Sequence, residues 1–307
     1  MTAGQFETQT IDGLTVMVRR WEPTSGGGNG ARAGTPIAGT PMLLIHGLGA
    51  NTVSWLPVGQ ALADRQHAPV VALDLAGFGY TRASGTVATL NRNADLVIAA
   101  LEQVGRAVVI GNSMGGSITV KVTARRPELV DSMILVNPAM KPAVGSPQWR
   151  NLVWLAPMMF PSVGERVISA RARQLGAEGM VDGTLQSVLE QPDMLDPEVR
   201  AQFIEITTAR GDYPEAARAY ADAAASLFWY LARNLDRDLA RALTSHRGLV
   251  IFGDRDKLID ITSARALQAR HPSIDFEVLD GIGHAPQLEA PTRFVDAVEN
   301  WLTKATM

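Results

Sequence analysis

Short apolar runs alternate along this chain with segments in which apolar residues recur every three or four positions. The runs, with the turn residues that bound them, cover residues 41–47, 69–75, 107–110, 132–138 and 248–253, and residues 274–279 predict a further strand. Runs of this length predict fully buried strands, and the periodic segments between them predict helices. Their alternation indicates an α/β fold with a mostly parallel sheet covered by helices on both faces. Residues 13–21 predict one more strand, antiparallel and near the sheet edge.

The alternation stops between residues 139 and 246. This stretch has no strand-like run, and its periodicity predicts five helices, near residues 149–158, 163–175, 179–190, 197–210 and 214–232. An all-helical insertion in an α/β fold is most simply a cap over the sheet. We therefore predict a core of residues 1–138 and 247–307, with a helical cap inserted at residues 139–246.

Residues 111–115 (Gly-Asn-Ser-Met-Gly) join a predicted strand to a predicted helix. The glycines lie two residues before and two after Ser113, where a tight strand-to-helix turn leaves no room for a side chain. Such a turn strains the serine backbone and presents the hydroxyl at a helix N-terminus, whose dipole favours negative charge. We predict Ser113 to be a nucleophile; the alternative is a glycine-rich turn with an incidental serine.

A serine nucleophile needs a base, and histidine is the usual one because its pKa lies near the working pH. His284 follows the last predicted strand, and loops at the carboxyl ends of parallel strands share one sheet edge with the serine turn. We predict His284 to be the base. The other histidines are assigned to structural support (His46), the opposite sheet edge (His246) and the surface (His67 and His271).

A histidine base needs a carboxylate to hold its tautomer and stabilise its cation. Asp254 and Asp256 both follow the predicted strand 248–253 at the same edge. Asp256 lies farther into the loop and is favoured as the acid, with Asp254 as the alternative. For an oxyanion, the natural donors are the backbone N–H groups of Met114, at the helix start, and of Leu48, in the His-Gly-Leu-Gly turn.

Composition narrows the classes of function. The net charge is −3, from 28 basic and 31 acidic residues without a basic stripe, which argues against a nucleic-acid partner. Absence of cysteine excludes disulfides and thiolate chemistry. Isolated histidines and the lack of phosphate- or dinucleotide-binding glycine motifs predict no metal and no cofactor. A polar N-terminus and the lack of a long apolar run predict a cytoplasmic protein, monomer or homodimer, without an integral membrane segment.

The motifs together resemble those of the α/β-hydrolase superfamily. They stand in that family's order: His46-Gly47-Leu48-Gly49, Asp74-x-x-Gly77-x-Gly79, Gly111-Asn112-Ser113-Met114-Gly115-Gly116, Gly253-x-x-Asp256 and Gly283-His284. The resemblance covers residues 11–138 and 247–304 and leaves the cap unaligned. It implies Ser113 as nucleophile, Asp256 as acid, His284 as base, and the N–H groups of Leu48 and Met114 as oxyanion hole.

The resemblance also bears on the reaction. Serine at position 113 argues against haloalkane dehalogenases and epoxide hydrolases, which use aspartate there. The resemblance implies a carboxylesterase- or lipase-like hydrolase that cleaves an ester of a small to medium apolar acyl group. Residues 111–116 also resemble the serine motif of carbon–carbon hydrolases that act on aromatic meta-cleavage products. Those enzymes usually have tryptophan after the histidine, where this chain has Ala285. That alternative needs a basic cap residue for the substrate carboxylate, from Arg166, Arg171, Arg173, Arg200, Arg210 and Arg218. A non-catalytic ligand-binding homologue is the third alternative.

Overall fold

The computed structural model describes residues 4–24, 39–143, 145–146 and 156–304. In these ranges the chain forms one eight-stranded sheet in the order β1-β2-β4-β3-β5-β6-β7-β8. Strands β3 to β8 pair in parallel, and β1 and β2 are antiparallel additions at one edge. The predicted mostly parallel sheet is therefore confirmed. The strands are β1 (Gln5–Ile11), β2 (Leu14–Trp21), β3 (Met42–Ile45), β4 (Val70–Leu73), β5 (Ala107–Asn112), β6 (Val130–Val136), β7 (Gly248–Gly253) and β8 (Asp275–Leu279).

The edge strand β1 is the one strand that the apolar pattern did not predict. Most of its residues are exposed, so it lacks the buried run that marks the central strands. The sequence does hold a turn signal before β2, the pair Asp12-Gly13. In the structure both residues adopt positive φ, 49° and 73°. An Asp-Gly pair in this conformation is typical of a two-residue β-hairpin, and it places β1 beside the predicted strand β2.

Helices cover both faces of the sheet and bury two hydrophobic clusters. Alternate residues of β3 divide between the clusters: Leu43 and Ile45 join one, and Met42 and Leu44 join the other. This period of two is expected where a strand is buried on both sides. The helices are α1 (Leu56–Gln66), α2 (Leu90–Val104), α3 (Met114–Arg125), α4 (Pro161–Val188), α5 (Pro197–Arg210), α6 (Ala216–Arg233), α7 (Leu235–Ala242), α8 (Ile261–Arg270), α9 (Pro286–Glu289) and α10 (Pro291–Lys304).

The described residues between β6 and β7 form helices and turns without a strand, and we call residues 156–243 the helical segment. The predicted helices at 163–175 and 179–190 are the two halves of α4, which the non-helical Gly176 (φ 66°) divides. The helices predicted at 197–210 and 214–232 correspond to α5 and α6. Helix α7 was missed because it follows α6 without an intervening glycine or proline. Most of the predicted helix 149–158 lies outside the described residues.

Loops after the parallel strands gather at one edge of the sheet, as parallel pairing requires. The turn after β3, the serine turn after β5 and the loops after β7 and β8 all lie there. The helical segment is reached from the same edge, because it follows β6. Among the described helices, none combines the length and the apolar character needed to cross a membrane.

Candidate active site

Ser113 occupies a strained turn between β5 and α3. Its backbone has φ 53° and ψ −116°, a combination outside the regions that residues with a side chain normally adopt. The turn is held by the Ser113 N–H, which donates to the Val136 carbonyl oxygen at 2.9 Å. Ser113 is partly exposed while both its neighbours are buried. The predicted strain in the Ser113 backbone is therefore confirmed.

The two flanking glycines are required by close packing. A Cβ on Gly111 would lie 2.2 Å from the carbonyl oxygen of Gly115. A Cβ on Gly115 would lie 2.2 Å from the carbonyl oxygen of Ile45, at the end of β3. Both contacts are with backbone atoms, which cannot rotate away as a flexible side chain would. The turn thus packs directly against β3, and neither position accommodates any residue but glycine.

His284 and Asp256 meet at the same edge. The Nδ1 atom of His284 lies 2.7 Å from Oδ2 of Asp256, and the two side chains are 5% and 0% exposed. The other carboxylate oxygen, Oδ1, accepts the backbone N–H groups of Leu258 (2.8 Å) and Ile259 (3.0 Å). Because the loop satisfies Oδ1, Oδ2 is directed at the histidine.

The charge state of Asp256 follows from these partners. Burial by itself raises the pKa of this carboxyl, because it penalises the charged form. The neighbouring His284, by charge and hydrogen bond, and the donors of Ile259 and Asn137 outweigh burial and hold the pKa below its ordinary value. The carboxyl is therefore ionised at neutral pH, as a partner for an imidazolium must be.

Asn137 is a site residue that sequence reasoning missed. It follows β6 directly, and its Nδ2 donates to Oδ2 of Asp256 at 2.7 Å. Its Oδ1 accepts the N–H of Gly253 at 3.1 Å, which ties it to the start of the acid loop. The signal was a polar residue at the carboxyl end of a buried strand. Asp254, the alternative acid, instead accepts the N–H of Gly281 at 2.6 Å.

Asn112, beside the serine, links the serine turn to the histidine loop. Its Nδ2 donates to the carbonyl oxygens of Val136 (3.0 Å) and His284 (3.1 Å). A Cβ on Gly47 would lie 3.2 Å from Cβ of Ser113, so the turn after β3 packs against the serine. The serine turn thus contacts the His284 loop through Asn112 and the turn that contains Leu48 through Gly47.

The two predicted oxyanion donors belong to these adjoining turns. Met114 is the first residue of α3, and the first N–H groups of a helix have no acceptor within it. Within the part of the chain that the structure describes, the N–H groups of Met114 and Leu48 donate no hydrogen bond to the protein. Two unpaired amides beside a serine are what the stabilisation of a developing oxyanion requires.

His46 has the predicted structural role, because it bonds to the backbone of two turns at this edge. Its Nδ1 lies 2.8 Å from the Gly47 carbonyl oxygen and its Nε2 accepts the Leu75 N–H at 3.0 Å, which joins the turns after β3 and β4. Burial lowers the pKa of His46 to about 4, so the ring is neutral. Beside it, burial raises the pKa of Asp74 to about 6, although Asp74 accepts the N–H groups of Thr52 and Tyr80.

The remaining histidines lie away from the serine. His246 is at the opposite sheet edge, where its Nε2 contacts the carbonyl oxygens of Pro127 and Val130, and His67 is exposed, as predicted for both. The surface assignment of His271 was wrong, because its side chain is only 11% exposed and lies near Asp236. Within residues 4–24, 39–143, 145–146 and 156–304, no group of three His, Asp or Glu side chains is placed to hold a metal ion.

The helical segment contacts the Leu48 turn directly. A Cβ on Gly49, whose φ is +77°, would lie 2.9 Å from the ring of Tyr220 in α6. Arg210 of α5 lies with its guanidinium 5.6 Å from the ring centroid of Phe78 and donates to the Gly79 carbonyl oxygen at 3.3 Å. Helices of this segment therefore pack on the turns that adjoin the serine.

Comparisons with known proteins identify the class. Residues 40–291 match the family model for the alpha/beta hydrolase fold, so the chain belongs to this family. A pimeloyl-[acyl-carrier protein] methyl ester esterase from Aeromonas hydrophila is 26% identical over 267 residues, covering 86% of this chain and 96% of that protein.

Two further proteins show the breadth of the family. A 2-hydroxymuconate semialdehyde hydrolase from Pseudomonas sp. CF600 is 27% identical over 277 residues, covering 87% and 88% of the two chains. The solved structure of a thermophilic esterase from Thermogutta terrifontis superposes with a TM-score of 0.69 at 22% identity, covering 98% and 99% of the two chains. The relatives thus include a methyl ester esterase and a semialdehyde hydrolase, and this chain is an alpha/beta-family hydrolase.

Proposed function

We propose that this protein is a serine hydrolase that cleaves a carboxylic ester of a small to medium apolar acyl group through an acyl-enzyme. The observation that carries the proposal is the 2.7 Å pairing of His284 Nδ1 with the wholly buried Asp256. A buried carboxylate that orients a histidine at the same sheet edge as a strained serine is the arrangement that nucleophilic catalysis by serine uses.

In the proposed mechanism, Oγ of Ser113 attacks the ester carbonyl carbon while Nε2 of His284 takes the hydroxyl proton. Asp256 stabilises the imidazolium, and the N–H groups of Leu48 and Met114 bind the oxyanion. Collapse of the tetrahedral intermediate expels the alcohol, which receives the proton from His284. Water activated by the same histidine then hydrolyses the acyl-enzyme and restores the serine.

We also propose that residues 139–246, which include the helical segment, form the cap that selects the acyl group. Support comes from the contact of Tyr220 with Gly49, beside the proposed oxyanion donor. An ester substrate is also supported by the relatives, which include the methyl ester esterase from Aeromonas hydrophila.

Carbon–carbon hydrolysis of a meta-cleavage product is the second candidate, favoured by the similarity to the 2-hydroxymuconate semialdehyde hydrolase. It requires a cation for the substrate carboxylate. Arg200 is occupied by Asp182 and Glu178, and Arg218 pairs with Asp222 and Glu165. Arg210 donates to the Gly79 carbonyl oxygen and packs on Phe78, and the exposed Arg166, Arg171 and Arg173 of α4 are the other candidates.

Replacement of Ser113 by alanine tests the proposal. We expect turnover of p-nitrophenyl butyrate to fall ~10³-fold or more, and fluorophosphonate labelling to disappear. Ser117→Ala is the matched control: Ser117 lies one helical turn further on, is buried and donates to the Ala139 carbonyl oxygen at 3.2 Å. Full turnover by the Ser113→Ala protein would overturn the mechanism.

Two further measurements separate the candidate functions. An acyl-chain series of p-nitrophenyl esters, run beside a ring-cleavage product, decides between ester and carbon–carbon cleavage by comparison of kcat/KM. A wild-type protein that neither turns over these substrates nor reacts with the fluorophosphonate would be a binding protein on the same fold.

A further inference from the structure

The end of helix α4 lies between the two loops that carry Asp256 and His284. The backbone N–H of His284 donates to the Val188 carbonyl oxygen at 2.7 Å. Next to it, a Cβ on Gly283 would lie 2.7 Å from the same oxygen, so the two backbones touch. On the other side, Nζ of Lys257, the residue after Asp256, donates to the Leu189 carbonyl oxygen at 2.9 Å.

One carboxylate joins these pieces. Oε2 of Glu289, in α9, accepts the N–H of Gly283 at 2.7 Å. Its Oε1 accepts the N–H groups of Glu190 at 2.9 Å and Gln191 at 2.8 Å, both just beyond α4. A carboxylate has lone pairs for all three donors, and hydrogen bonds to an ionised acceptor are the stronger kind. Glu289 therefore bonds the histidine loop and the helical segment at once.

The lysine on the opposite side completes the arrangement. Besides the Leu189 carbonyl, Lys257 faces the carboxylate of Glu190 at 3.2 Å. A cation at the C-terminal end of α4 is favourable, because the last carbonyl groups of a helix carry partial negative charge. Residues 188–191 are thus bonded by His284 of the base loop, by Glu289 of α9 and by Lys257 of the acid loop.

We propose that Glu289 is a positioning residue, which fixes the His284 loop against residues 188–191 and so makes the alignment of the base depend on the helical segment. The proposal rests on the proposed function, because alignment matters only if His284 transfers a proton. Misplacement of a reacting group by about 1 Å costs up to about 10²-fold in rate.

Glu289→Ala removes the acceptor of three N–H groups, and Glu289→Gln keeps one oxygen while turning an NH₂ group towards the remaining donors. Glu215→Gln is the matched control. Glu215 binds Arg82 through two hydrogen bonds of 2.7 and 2.9 Å, so it also links the helical segment to the core, but it does not touch the base loop.

With p-nitrophenyl acetate, we expect Glu289→Ala to lower kcat about tenfold or more while KM changes less than about twofold, because the lost property is alignment. Glu289→Gln falls between Glu289→Ala and wild type. Glu215→Gln retains the wild-type kcat and KM.

Hydrogen exchange provides a readout that does not depend on turnover. Amides of residues 190, 191 and 283 exchange about tenfold faster or more in Glu289→Ala than in wild type, because they lose their shared acceptor. If wild type lacks esterase activity, the proposed function fails, and hydrogen exchange decides the inference alone. A Glu289→Ala protein that matches Glu215→Gln in kcat and in amide exchange overturns the inference, whatever its Tm.

Discussion

Replacement of Asp256 by asparagine tests the proposed acid with almost no change in shape. In the structure, Oδ2 of Asp256 accepts from both His284 and Asn137, and Oδ1 accepts two backbone N–H groups. Asparagine has one acceptor oxygen, so with that oxygen on the backbone donors its NH₂ group faces His284. The ring must then present an unprotonated Nδ1 and carry its proton on Nε2, the atom that has to accept the serine proton.

The expected loss follows from these contacts. A hydrogen bond to a charged group contributes about 1.5–3 kcal/mol, and loss of the counter-charge of a buried imidazolium adds a comparable amount. The sum is about 4 kcal/mol, which corresponds to about 10³-fold in kcat. Because the pKa of Asp256 lies below its ordinary value, the loss persists across the neutral range.

The assay is steady-state hydrolysis of p-nitrophenyl butyrate at saturating substrate, with thermal unfolding measured in parallel to show that the variant is folded. Asp254→Asn is the control, because Asp254 bonds to the Gly281 amide and not to His284. We expect that control to keep kcat within about threefold of wild type, since surface-loop changes away from the reacting groups have small effects. A folded Asp256→Asn protein with more than about a tenth of the wild-type kcat would refute the reasoning.

Two predictions concern stability. Burial lowers the pKa of His46 from 6.5 to about 4, so the unfolded chain takes up a proton at this residue before the folded protein does, and the free energy of unfolding falls by about 3 kcal/mol as the pH falls from 6.5 towards 4. In urea unfolding, the stability lost between about pH 7.5 and about pH 4 is therefore larger for wild type than for His46→Gln. Equal losses in the two proteins would contradict a buried, neutral His46. Gly115→Ala lowers the free energy of unfolding by about 3 kcal/mol or more, because its Cβ meets the Ile45 carbonyl, whereas Gly183→Ala in α4 raises it by about 0.5–1 kcal/mol. Equal Tm shifts for the two alanine variants would contradict the packing argument.

Much of the fold was predictable because its signals are local. A buried strand covered on both faces must be apolar along its length, so the five inner parallel strands, β3 to β7, appear as runs in the sequence. The edge strand β8 alternates polar and apolar residues instead. The exposed strand β1 has no such run, and it is held by pairing with β2. Helix α7 was not predicted, because one residue separates it from α6 and no glycine or proline marks the boundary in the sequence.

In the candidate site too, the features that were predicted are local in sequence, and those that were missed join distant residues. Strand, glycine and serine stand next to one another along the chain, so residues 111–115 were enough to predict the strained turn at Ser113. The partners of Asp256 are far apart in sequence: Asn137 is 119 residues away and His284 is 28. Only the pairing of β6 and β7 places Asn137 at the acid, and only the loop geometry directs Asp254 elsewhere.

What the sequence by itself determined is that the three candidate residues share one edge of the sheet: Ser113 follows β5, Asp256 follows β7 and His284 follows β8, and parallel pairing brings the ends of these strands together. What the tertiary structure decided is the support around them, above all the end of α4 bonded to the His284 loop through Val188 and Glu289. The N–H groups of Glu190 and Gln191, for example, bond to a carboxylate that lies 99 and 98 positions away in the chain. Backbone donors and acceptors leave no mark in the sequence, so contacts made through them become visible only when the chain is folded.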